Sequence, residues 1–346
     1  MSLSLSVSAS DRQTWLEGSG PAVFQTPAWL QHWRTHYQHR GDRFVARSDA
    51  LLPLYIRRQW LRPGVPVRTL RFAGTGDAEP EELCPEFCDL SDGVLQPAPA
   101  DTWSALGRLP WDLCRFDNCM RGSSVENLAR HAGGFSQPCG VRYSLPLPAT
   151  LDDWLAGLSD SFRSKVRRTR QRMTREQMHL HIARAPAERL AALPALVSLH
   201  QSRWRQRGEA GVFSARRFLD FHQSVLADPS VPARLALLYR DDEVVAAWYG
   251  FDFNGTRLFY QSGMDGAQSG FSPGIALHVS MIEDAIDSGI REYDFMKGEP
   301  GSWKARFGCR QTPVSHLLVP ATHLYGRTLR SLLSRSRSWQ ALEAGA

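Results

Sequence analysis

Lysine is almost missing from this chain. Of its 41 basic residues only Lys165, Lys297 and Lys304 are lysines. Where nearly every cation is written as arginine, a surviving lysine marks a place where a compact ammonium cannot be exchanged for a guanidinium. Cysteine is scarce as well, six in 346 residues, with no C-x-x-C pair. That excludes a disulfide framework, and the loose spacings Cys84/Cys88 and Cys114/Cys119 read as buried reduced thiols rather than a zinc site, so no metal is expected. No apolar run approaches the ~18 residues of a membrane-spanning helix. The opening MSLSLSVSAS has no basic stretch before its apolar residues, which leads us to expect an unprocessed, cytoplasmic protein. No solenoid-length repeat is visible.

What is present is a globular composition, 42% hydrophobic and 22% charged with a mean hydropathy of -0.33. The net charge of +6 and a pI near 9.2 favour phosphate-bearing partners without identifying one. The length allows two domains. Short apolar runs between turn signals, such as LLPLYI (51–56), VPVRTLRF (65–72) and WDLCRF (111–116), predict strands in the first half. Pro27 to Tyr37, with Trp29, Leu30, Trp33 and Tyr37 at helical spacing, predicts a helix. The Pro-rich SLPLPATLDDW (144–154) marks a boundary. We therefore divide the chain into 1–148, 149–322 and a basic amphipathic tail, 323–346.

The second half is more legible. A basic helix (160–177), a strand (178–183) and helices over 187–206 and 215–227 lead into strands at 235–239, 244–253 and 256–263. Asn254-Gly255 between the last two is a strong hairpin signal. An amphipathic helix (274–288) ended by Gly289 then precedes a strand at 291–296. Strand, helix, strand at this length predicts a parallel pair joined by a right-handed crossover. Ligands bind beyond the carboxyl ends of such strands, which puts 262–274 and 296–304 at one rim. In that rim, Gln268, Ser269, Gly270, Phe271, Ser272, Pro273 and Gly274 form a helix start whose amides suit a phosphate. The stretch 162–175 holds cations and no acid, a face for RNA or another phosphate-rich partner.

Four stretches together carry a resemblance: SFRSKVRRTRQRM (161–173), LHQSRWRQRGEAGVF (199–213), FSPG (271–274) and YDFMKGEPGSWKARFG (293–308). In this order they resemble the GNAT acyltransferase superfamily, and more closely its CelD-like (BioF2-like) branch, related to the Fem-type aminoacyl transferases. The resemblance implies an α/β fold of two tandem GNAT-like domains, each a mixed, mostly antiparallel sheet with a parallel central strand pair flanked by helices. The first domain would be degenerate. It implies acyl transfer from acetyl-CoA or a longer acyl-CoA to an amine, with pyrophosphate on the amides of 269–274 and pantetheine between strands 256–263 and 291–296. The usual superfamily phosphate loop is not cleanly present, and Fem-type relatives use aminoacyl-tRNA instead. Acyl transfer needs a proton acceptor and an oxyanion donor. The candidates are Asp294 first, then Tyr260 and His200, with a backbone amide near 260–262 for the oxyanion. Trp204, Phe213, Trp248, Lys297 and Lys304 are candidate substrate contacts. Candidate partners are a small-molecule or peptide amine, tRNA or an acyl carrier protein, and a membrane surface touched through the C-terminal tail.

Overall fold

Glycine, proline and short polar residues fix the ends of the elements. Thr26 caps the Pro27–Tyr37 helix by accepting from the Trp29 amide, and Trp29, Leu30, Trp33 and Tyr37 fill one buried stripe as their spacing predicts. Asn254 and Gly255 both take positive φ, +51° and +78°, the conformation of a tight hairpin turn between Glu243–Phe253 and Thr256–Met264. The computed structural model describes residues 5–8, 15, 22–47, 50–74, 88–89, 99–265 and 271–342. The chain forms two compact units. One comprises Met1–Gly76, Leu83–Gly140 and Thr312–Ala346, the other Asp77–Glu82 and Val141–Gln311.

In the first unit the strands Ser6–Ser8, Arg43–Arg47, Ala50–Arg62, Val65–Phe72, Leu113–Met120 and Arg310–Pro320 lie side by side. All neighbours are antiparallel except Val65–Phe72 and Leu113–Met120, which run parallel with Thr69 opposite Leu113. The end of the chain thus returns to this unit instead of standing apart as a tail. Its basic amphipathic helix, Leu324–Leu333, buries Leu329 and Leu333 against Val67, Leu113, Phe135 and Leu318. Tyr325 donates to the Pro66 carbonyl at 2.7 Å. Of the tail's leucines, Leu329 and Leu333 are thus taken up by the protein's own core, while Leu332 stays exposed.

In the second unit the order is Phe135–Pro146 (from Val141), Glu292–Gly298, Thr256–Met264, Glu243–Phe253, Ala233–Arg240 and His179–Ala183. One neighbouring pair is parallel, Thr256–Met264 with Glu292–Gly298, and the helix Pro273–Asp287 joins them. This is the predicted crossover. Its apolar stripe packs with Phe162 and Val166 of the helix Asp160–Arg175, and with Trp248, Tyr293, Phe295 and Phe307, into one core. Arg257 and Phe259 reach toward Pro273–Asp287, Arg257 through bonds to Met281 O and Asp284. Tyr260, one residue on, packs instead on His222 of the helix Arg216–Ala227. Both units are α/β, with mixed, mostly antiparallel sheets that each contain a parallel strand pair.

Candidate active site

The parallel strands pair for only three residues. Thr256, Arg257 and Leu258 face Glu292, Tyr293 and Asp294, and beyond this the two part. Each strand carries its own cause. A bulge at Tyr260 shifts the register of Thr256–Met264 against its antiparallel neighbour, bending the strand. Met296 takes φ +60°, costly for a side-chain-bearing residue, where the register with Phe135–Pro146 slips between Asp294 and Lys297. A wedge opens at the carboxyl ends.

Asp294 stands at the vertex, fully buried. One carboxylate oxygen accepts from Arg142, 2.6 Å at the closest nitrogen, and the other accepts from the Met296 amide at 2.7 Å. Arg142 is further held by Glu292 at 2.9 Å. Burial pushes the Asp294 carboxyl upward, against the pull of the Arg142 guanidinium. With both oxygens engaged, Asp294 braces the left-handed turn at Met296. The sequence offers Asp294 as the first acid/base candidate, but nothing near it in sequence points to Arg142 as its partner.

Lys304 lies in the mouth of the wedge. Its ammonium donates to the carbonyls of Phe295 at 2.6 Å and Lys297 at 2.5 Å, and sits 5.9 Å from the centre of the Phe259 ring. A cation thus bridges from one parted strand toward the other. Lys297 contributes its backbone carbonyl to that arrangement.

His200 is placed by a glycine. A Cβ on Gly263 would meet the His200 amide nitrogen at 2.5 Å, so the helix Pro186–Arg205 lies directly on the strand that carries the bulge. The buried His200 ring contacts Trp204 and Phe213, with Nδ1 at 3.1 Å from Gln201 Oε1. Burial pushes its pKa down to about 4, so the imidazole is neutral at physiological pH. The structure therefore brings His200, Trp204 and Phe213 together. Tyr260 packs instead among His222, Tyr249 and Phe251, and Trp248 is a core residue whose indole donates to Tyr293 Oη at 2.8 Å.

Of the expected phosphate loop, Gln268, Ser269 and Gly270 lie outside the described residues. Ser272 precedes Pro273 at the helix start, and Gly274 sits where a Cβ would come within 3.0 Å of Met264 Cε. Phe271 is covered by the Arg172 guanidinium at 5.0 Å, which brings the basic helix Asp160–Arg175 to this rim. Two cations of that helix's expected face are engaged within the fold, Arg163 on the Leu155 and Leu158 carbonyls and Arg170 on Glu283. No group of three or more metal-ligating side chains is arranged to hold an ion among the described residues. Nor is any described helix long and apolar enough to cross a membrane.

Residues 160–305, which contain the wedge, match the sequence model of the acetyltransferase (GNAT) domain. No curated protein matches the chain. Among solved structures it is similar to FemX, with 13% identity and a TM-score of 0.54 over 92% of this chain and 96% of that one. It is similar to L-PGS from Bacillus licheniformis, with 14% identity and a TM-score of 0.54 over 90% and 98%. A conserved protein of unknown function from Bacteroides thetaiotaomicron matches with 12% identity and a TM-score of 0.50 over 85% and 90%. At such identities the likeness is one of fold. The chain thus carries a GNAT acetyltransferase domain over residues 160–305, within a fold like those of FemX and L-PGS.

Proposed function

We propose that the second unit transfers an acyl group from an acyl-CoA thioester to an amine. The observation that carries this reading is the wedge, where two parallel strands part beside the Lys304 ammonium, with the neutral, buried His200 against Gly263 of one of them. Parted strands present backbone amides and carbonyls that an extended donor arm can pair with, as a third strand would. His200 takes the proton from the attacking nitrogen, for which a neutral imidazole is required. Lys304 and the amides around the Tyr260 bulge receive the charge that develops on the carbonyl oxygen. The C–S bond breaks, the sulfur leaves as thiolate, and the amide remains on the acceptor. Asp294 and Arg142 hold the wedge open and touch neither reactant. The acceptor is a small-molecule or peptide amine, lodged beside Trp204 and Phe213, and the first unit supports the catalytic one.

A second reading has its own observation. The basic helix that covers Phe271 borders a cavity of about 410 Å³ lined by Arg167, Arg170, Gln171 and Ser280 among others, a surface suited to the phosphates of an aminoacyl-tRNA donor. Calorimetry with CoA, acetyl-CoA and a long-chain acyl-CoA separates the two. Micromolar binding lost in Gly270→Asp is the expected result. Silence from all three, with salt-sensitive binding of charged tRNA, would replace the thioester by tRNA.

A further inference from the structure

Three buried polar side chains in the second unit form a directed chain. An indole nitrogen can only donate, so Trp248 Nε1 gives its proton to Tyr293 Oη at 2.8 Å. The Tyr293 hydroxyl then has its own proton to give, and the acceptor is His278 Nδ1, also at 2.8 Å. A neutral imidazole that accepts at Nδ1 carries its proton at Nε2. His278 is neutral, because burial and then the nearby Lys304 ammonium push its pKa down to about 3. Its Nε2 is buried and meets no hydrogen-bond partner among the described residues.

The relay therefore ends in an N–H donor with no acceptor, and its position gives that meaning. The imidazole is boxed by Phe259 at 4.6 Å, Phe295 at 5.0 Å, Trp303 at 5.1 Å and Phe307 at 5.9 Å. Phe259 and Phe295 belong to the two parted strands, and Trp303, at 44% exposure, is the box's wall toward solvent. A structural water at Nε2 would need two or more polar partners, and the box offers aromatic carbon. A charged acceptor would lose its hydration among these rings.

We propose that His278 is a ligand-binding residue whose Nε2–H donates to an uncharged carbonyl oxygen of the acyl donor lying in the wedge. This rests on the acyl-transfer reading. The carbonyl belongs either to the amides of the donor's pantetheine arm or to the acyl group itself. Trp248 and Tyr293 are positioning residues, since they hold the imidazole in the donating tautomer without touching the donor.

The test follows the His278 Nε2–H directly, by proton–nitrogen NMR of the full chain labelled at histidine, beside calorimetry of the same samples. The free protein is expected to show the Nε2-protonated tautomer. A downfield move of that proton with CoA assigns the pantetheine amides, and a move with acetyl-CoA only assigns the acyl carbonyl. Tyr293→Phe should release the tautomer and weaken donor binding, and His278→Phe should weaken it about tenfold while leaving the unfolding transition cooperative. Should His278→Phe not fold, the wild-type spectra decide alone. Donor binding that leaves the Nε2–H unmoved overturns the inference, and the proton then points at the face of Phe259. No heat from any thioester removes the acyl-CoA reading and this inference with it.

Discussion

The two units treat histidine in opposite ways. In the first, His316 Nδ1 lies 2.9 Å from Asp117, whose carboxylate is also held by Arg115 at 2.9 Å and Arg71 at 3.3 Å. Burial alone would lower the His316 pKa, but Asp117 and then Cys139 overcome it and push it up to about 9. In the second, His200 and His278 sit among aromatic rings and are driven down to about 4 and about 3. The acids show no such contrast, since Asp294 with Arg142 and Asp284 with Arg257 are matched in the second unit as well. Asp42 with Arg57, Asp112 with Arg68 and Asp117 with its three partners are internally matched pairs of the first unit. A matched pair stabilises a scaffold and has nothing left to offer a ligand. A neutral imidazole with an unspent proton or lone pair does, and in this the two units differ even though both contain a parallel strand pair.

The largest effect that would break this comparison is at Lys304. Lys304→Ala should lower kcat by about 10²–10³, the loss seen when one donor to an oxyanion is removed, and Lys304→Arg should not restore it. If turnover survives Lys304→Ala, the ammonium is only a strut between two carbonyls and the second unit is as passive as the first. Next comes the brace. Asp294→Ala strands Arg142 and releases Met296, and we expect a loss of about 3 kcal/mol by urea unfolding. Asp294→Asn should cut turnover with little change in donor affinity, and full activity in Asp294→Asn would show that the wedge keeps its shape without the brace.

The smallest effect concerns pH. His316 has a folded pKa near 9 against an ordinary value of 6.5, so its contribution to stability is complete below about pH 6.5 and lost as pH rises through 9. At most it is about 3 kcal/mol. The melting temperature of wild type should converge on that of His316→Gln between pH 6.5 and 9.5. His200 and His278 act in the reverse sense. Their folded values lie below 6.5, so they withdraw stability as pH falls from 6.5 toward 4 and then 3. A parallel pH dependence for His316→Gln and wild type would mean that His316 is not held charged by Asp117.

The crossover was legible because its signals are local. Asn254-Gly255 can turn in few ways, Ser272-Pro273 starts a helix, and an apolar stripe every three to four residues needs no knowledge of partners. The scarcity of lysine pointed to Lys304 for a chemical reason, and in the fold it stands in the wedge. Arg142 was not legible. It lies 152 residues from Asp294 on a strand that runs into the Pro-rich stretch read as a boundary, and nothing in its neighbourhood announces a partner so distant. His278 was passed over because a histidine on an apolar helix face reads as ordinary core. Its meaning depends on Tyr293 and Trp248, which pairing alone brings near. The return of the chain end to the first unit was likewise hidden, since Arg310–Pro320 finds Leu113–Met120 across nearly two hundred residues.

That return sets an order of events in the cell. The first unit draws the strand Arg310–Pro320 and the helix Leu324–Leu333 from beyond the second, which is encoded almost without interruption between Val141 and Gln311. At ribosomal speeds the strand Leu113–Met120 waits roughly ten to forty seconds for its closing strand, during which the later-encoded unit can fold. The Leu113–Met120 edge stands uncovered meanwhile, an invitation to pair with a neighbouring nascent chain. The Val141–Gln311 unit can therefore fold while the first unit still lacks the strand and helix that complete it.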